Sequence, residues 1–241
     1  METDRRYMTR TEAEVAQYDV GLRQYMLSVY NYMASALALT GLIAYATATY
    51  AMSNPAVANL LFVSPLKWVI MLAPIALVFF LAARVHAMSA GTAQAVFWIY
   101  ATLMGISLAS IFLVFTGQSI ARVFFITAGA FAGVSLYGYT TKRDLSGFGT
   151  FLFMGLIGII LASIVNIFLA SSALQFAISV IGVLVFTGLT AYDTQRIKEL
   201  YDELDASDVM GKKAIMGALT LYLDFINLFI MLLQLFGSNR E

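Results

Sequence analysis

Cysteine is absent from this chain, and histidine occurs once, at His86. Those two scarcities exclude disulfides, thiolate metal sites, cysteine nucleophiles and any histidine-rich metal cluster. Charge is scarce as well: Asp, Glu, Lys and Arg make up 12% of the residues, against about 25% in an ordinary globular chain. Acids and bases cancel to a formal net charge of zero, and no basic block points to nucleic acid. Residues 1–26 lack the apolar core of a signal peptide, and their acids (Glu2, Asp4, Glu12, Glu14 and Asp19) argue against a transit peptide. The N-terminus is therefore expected to stay on the side of synthesis.

What is present is apolar surface. Hydrophobic residues make up 61% of the 241-residue chain, against about 45–50% in soluble domains, which points to an integral membrane protein. About 20 apolar residues are needed for a helix to cross the hydrocarbon core. Seven runs meet that requirement, at roughly 27–50, 66–84, 95–115, 120–140, 149–170, 174–194 and 214–236. Alternating segments of about ten residues, the mark of a membrane β-barrel, are missing. The expected fold is an all-α integral membrane protein, a seven-transmembrane-helix bundle over 26–237. A cytoplasmic arm (1–25) precedes it and a short tail (238–241) follows.

Lys and Arg in the connections set the orientation. Eleven of the fourteen fall on the N-terminal side: Arg5, Arg6, Arg10, Arg23, Arg84, Lys142, Arg143, Arg196, Lys198, Lys212 and Lys213. Only Lys67, Arg122 and Arg240 fall on the other. This places the N-terminus in the cytoplasm and the C-terminus outside, in a multi-pass protein of the inner (plasma) membrane.

Most spans read as scaffold. Asn31, Ser35 and Thr40 are mild polar positions suited to interhelical hydrogen bonds, and Gly129/Gly133 and Gly105/Ala109 are small-residue pairs that permit close helix contact. Pro55 and Pro65 suit a turn. Pro74 lies within the second span and removes a backbone hydrogen bond there, giving a packed kink or a hinge. Arg84 ends that span as a snorkelling interface residue.

The last run differs. Thr220, Asp224, Asn227, Met231 and Gln234 fall on one helical stripe, extended downward by Gly217 and Lys213, with Leu, Ile, Phe and Met around it. An acid at mid-span costs about 2.5–3.5 kcal/mol by insertion scales, so Asp224 is expected to face protein or a water-filled path. Starting from Ala214, it lies about 15 Å from the cytoplasmic end at 1.5 Å per residue. A purely structural seam of hydrogen bonds is the alternative reading. Asp193 sits near the cytoplasmic end of the sixth span. It reaches Asp224 only if that helix continues, as the absence of Gly and Pro from Asp193 to Leu200 favours. Two carboxyls in contact do not both ionise cheaply and share a proton, which makes a pH-dependent latch or a cation site.

At these residues the chain resembles the Bax inhibitor-1 family of membrane proteins. The likeness rests on Gly188-Leu-Thr-Ala-Tyr-Asp-Thr-Gln-Arg-Ile197 and Leu221-Tyr-Leu-Asp-Phe-Ile-Asn-Leu-Phe229. Ser135-Leu-Tyr-Gly-Tyr139, Thr141-Lys-Arg-Asp-Leu145 and the stretch from Ser119 to Ala128 add to it. The resemblance implies a seven-helix bundle with the last helix central, and a pH-sensitive calcium leak governed by a di-aspartyl pair. Carried onto this sequence, the pair is Asp193 and Asp224, with calcium as the permeant ion there. Arg84 is the arginine expected to lock onto the first acid. Thr220, Asn227 and Gln234 form the supporting polar seam.

The connection between the last two spans departs from a plain turn. Glu199, Asp202, Glu203, Asp205 and Asp208 make it a solvated acidic loop or a cation-attracting vestibule, without the spacing of an EF-hand. No cofactor is implied, and the expected partners are the lipid bilayer and calcium or other cations. Two other functions compete. One is a non-transport, stress-protective interaction factor, such as a modulator of a membrane protease, with the arm around Glu12-Ala-Glu14 and Tyr18-Asp19 as its handle. The other is an intramembrane aspartyl protease, disfavoured because Asp224 follows Leu221-Tyr222-Leu223 rather than Gly-x-Gly. A retinal lysine and a His-Glu-x-x-His zinc motif are both missing, and the expected class is not an enzyme.

Overall fold

The computed structural model describes the backbone from Glu2 to Arg240 and side chains from Tyr18 onward. Seven long helices follow one another: α1 (Glu2–Ser53), α2 (Leu66–Arg84), α3 (Ala90–Leu108), α4 (Gly117–Thr140), α5 (Ser146–Leu169), α6 (Ser172–Glu199) and α7 (Ser207–Phe236). Each contains a stretch long and apolar enough to cross a bilayer. The side chains of Arg5, Arg6 and Arg10 and the Glu12–Glu14 handle lie outside the described residues. The chain has no break at the boundary expected after residue 25: Leu22, Tyr25 and Met26 are buried on one continuous helix.

Local chemistry explains the ends. Ser89, Thr116 and Ser171 each accept a backbone N–H in the first turn of α3, α4 and α6, occupying donors that a helix start leaves free. The third apolar run is shorter as a helix than expected, because α3 stops at Leu108 and a separate turn, Ile111–Val114, follows. α2 passes through Pro74 as one helix, with Pro74 buried. Asp144 accepts from the Ser146 backbone N–H at 2.8 Å where α5 begins, and that bond holds its carboxyl below the usual range.

Burial ranks the helices. The apolar window of α7 is 67% buried, and no other span exceeds 39%. α7 packs against α1, α3, α4 and α6, so the last helix is the central one. Tyr222 anchors it: its hydroxyl hydrogen-bonds to Thr40 of α1 (2.8 Å), and Thr40 donates to the carbonyl of Ala101 on α3 (2.8 Å). The outward faces are apolar, with Phe79, Phe125, Phe151 and Phe168 exposed. A water-soluble surface would not carry so broad an aromatic and aliphatic belt; a lipid-facing one does.

One glycine pair behaves as expected and one does not. A methyl at Gly105 would sit 2.8 Å from the Thr40 carbonyl, so Gly105 lets α3 and α1 meet closely. Gly129 and Gly133 have open space on their outer side and are exposed; the close helix contact expected of them is not made. The closest backbone approach falls instead at Gly138, against the carbonyl of Ala191, where α4 crosses α6.

Candidate functional site

Asp193 lies near the C-terminal end of the apolar run of α6. The helix continues to Glu199, so Asp193 lies more than a turn inside it, on the wall of a cavity of about 490 Å³ between α5, α6 and α7. Thr220, Asp224 and Asn227 line the same cavity from α7, and Gly149 and Thr150 from α5. Asp224 is 5% exposed. Its carboxyl stands beside that of Asp193 on the wall of one cavity. Two carboxyls so placed can hydrogen-bond only with a proton between them, since an ionised carboxylate has no donor. Asp224 Oδ2 is buried and accepts no hydrogen bond from a protein N–H or hydroxyl.

The seam residues divide. Thr220 and Asn227 turn their hydrogen bonds inward to their own helix, to the carbonyls of Met216 (3.1 Å) and Leu223 (2.8 Å), while facing the cavity. Gln234 lies away from it, near the C-terminal end of α7. There its Oε1 accepts from Gln175 Nε2 (2.7 Å) and Ser179 Oγ (2.8 Å), and Gln175 in turn accepts from Asn166 Nδ2 (3.1 Å). Arg84 is exposed at the end of α2 and does not line the cavity. The arginine on the cavity wall is Arg196, three residues after Asp193. Its i, i+3 spacing, which puts it on the same helical face as Asp193, was the readable signal.

A second polar group, not singled out in the sequence, backs α6 from the other side. Tyr30 of α1 hydrogen-bonds to Ser135 of α4 (2.7 Å), and Ser135 to Thr194 (2.9 Å). Gln195 pins the α4–α5 connection, donating to the Arg143 carbonyl (2.9 Å) and accepting from the Leu145 N–H (2.8 Å). Residues on both sides of Asp193's helix are thereby fixed, and Gly149 lets α5 close on it: a methyl there would lie 2.6 Å from the Tyr192 ring. In the acidic connection, Asp205 pairs with Lys213 and Asp208 with Lys212, and Asp208 also accepts the Ala90 N–H at the start of α3. Among the described residues no three acidic or histidine side chains come together as a metal cage.

The family model described as inhibitor of apoptosis-promoting Bax1 matches residues 22–241. The chain belongs to the Bax inhibitor-1 family. Among similar Bax inhibitor-1 relatives is the inner membrane protein YbhL of Escherichia coli, 50% identical over 94% of this chain and 96% of its own length. An uncharacterized protein of Caulobacter vibrioides is 50% identical over 92% of both chains. One of Rickettsia prowazekii is 48% identical over 96% of both. The Bax inhibitor-1 match spans all seven apolar helices and both cavity acids.

Proposed function

We propose that this protein is a pH-sensitive cation leak of the inner membrane, with calcium as its principal ion and the Asp193–Asp224 pair as its gate. One observation carries the reading: acids from two adjacent helices meet in a single cavity, and one oxygen of Asp224 is buried without a protein donor. With one proton shared, the pair is a hydrogen bond that ties α6 to α7. Removing that proton leaves two like charges in contact, which repel and attract a cation. Thr220 and Asn227 supply neutral oxygens beside them. Calcium takes about 6–8 oxygens, so water completes its shell in transit. The positive-inside count supports a cytoplasmic N-terminus, and the inner-membrane location follows the E. coli relative.

In this reading Arg196, rather than Arg84, is the cation that acts on Asp193. This reading requires no catalysis, and the continuity of α7 around Asp224 speaks against an intramembrane protease, which needs unwound backbone on which to lay out a peptide. The deciding experiment is pH-stepped calcium entry into liposomes holding only this protein. Wild-type flux is expected to change by about tenfold between acid and alkaline pH, equivalent to about 1.4 kcal/mol of gate bias. Asp193→Asn and Asp224→Asn should flatten that response. Calcium entry that is absent, or the same at every pH in all three proteins, would refute the leak and favour the interaction factor.

A further inference from the structure

A second and larger cavity, of about 920 Å³, lies between α1 and α4 and shares no lining residue with the acid-pair cavity. α1 and α4 form its walls without packing along each other, and Phe225 of α7 is on its floor. The lining runs from Arg23 to Ala38 on α1 and from Phe124 to Tyr139 on α4. Each wall is therefore about 22 Å long at 1.5 Å per residue. A bilayer is about 40–45 Å thick with its headgroups, so the groove has the depth of one leaflet rather than of the whole membrane.

Chemistry is graded along this groove. Its length is lined by alanine, leucine, methionine and phenylalanine, and the small residues Ala34 and Ala132 leave it open. Cations gather at one end. Arg23 lines the groove there and is exposed. Lys198 reaches the same end from α6, donating to the Tyr139 carbonyl at 2.9 Å with its ammonium 5.3 Å from the Tyr139 ring. We propose that the groove is a binding site for one anionic phospholipid, its acyl chains along α1 and α4 and its phosphate between Arg23 and Lys198. A cationic end on an apolar slot one leaflet deep matches a lipid, with its charged head and apolar chains, better than an apolar partner helix. Basic residues at the membrane surface select anionic headgroups, so the charged end supplies the specificity that an apolar slot lacks. This site does not depend on ion flux.

Native mass spectrometry of the full chain released from detergent tests it, with phosphatidylglycerol and phosphatidylcholine of identical acyl chains added in turn. Wild type is expected to retain phosphatidylglycerol about tenfold or more over phosphatidylcholine. Arg23→Ala with Lys198→Ala should erase the preference, and Ala34→Trp with Ala132→Trp should abolish retention of both lipids. Equal retention of the two lipids by wild type would overturn the site. So would unchanged retention by the tryptophan variant, or a wild type that runs as a dimer beside a tryptophan variant that runs as a monomer, which would assign the groove to a second copy. Arg23→Ala alone, at an exposed position, should already reduce the preference, and it decides the matter if the other variants do not fold.

Discussion

α6 and α7 meet through polar side chains at two places, and the two are built differently. Near the C-terminal end of α7, Gln234 accepts from both Gln175 and Ser179, and Asn166 extends the chain. At the other place Asp224 and Asp193 face each other in a cavity, and one Asp224 oxygen has no donor. Both lie on one polar stripe of one helix. The glutamine cluster has neutral groups whose bonds close on each other, as interhelical polar contacts in membranes commonly do. The acid pair needs a proton to close at all. Under the proposed gate, the acid pair responds to pH, whereas the glutamine cluster does not.

Substitutions can sharpen that contrast. The largest stability effect is expected at Gly138→Ala, on the acid-pair side, because the added methyl meets the backbone carbonyl of Ala191 rather than a movable side chain. Overpacking of this kind costs about 1–3 kcal/mol, to be read as a lowered unfolding temperature in detergent. It should also move α6 relative to α4, so the pH dependence of flux should change with it.

A smaller effect of opposite sign is expected on the glutamine side. Ala170 ends α5 with φ of 47°, a left-handed conformation, which costs about 1 kcal/mol for a residue with a Cβ. Ala170→Gly should raise the unfolding temperature and leave the pH response of flux as it is. Smallest is Gln234→Leu, which removes the acceptor for Gln175 and Ser179. Polar contacts between membrane helices average about 0.6 kcal/mol, so a slight loss of thermal stability is expected. A loss as large as that of Gly138→Ala would mean that the glutamine cluster, too, is a principal joint of the bundle.

The fold was largely legible because lipid forces it. Long apolar runs must pair their backbone internally, so seven such runs read as seven helices, and the lone polar stripe marked α7 as the central one. Helix ends were less legible. α6 gains its last turn and α7 its first from residues that look like a charged loop, stabilised by tertiary partners such as the Tyr139 carbonyl for Lys198 and the Ala90 N–H for Asp208. The two acids could be found because an acid in an apolar helix is conspicuous. Arg84 and Arg196 could not be ranked, since both lie at the same end of the membrane and only the packing of α5 against α6 puts Arg196 on the cavity. Gln234 shares the stripe with Asp224, but stripe membership says nothing of depth, and the two stand about 15 Å apart along the axis. The Tyr30–Ser135–Thr194 chain joins three helices distant in sequence through residues that singly look like ordinary span hydroxyls.

The most direct measurement compares the two places in one assay: calcium entry into liposomes at stepped pH for wild type, Asp224→Asn and Gln234→Leu. Wild type and Gln234→Leu should give the same pH-dependent flux, and Asp224→Asn a flux that no longer responds to pH. A full pH response in Asp224→Asn would contradict the account.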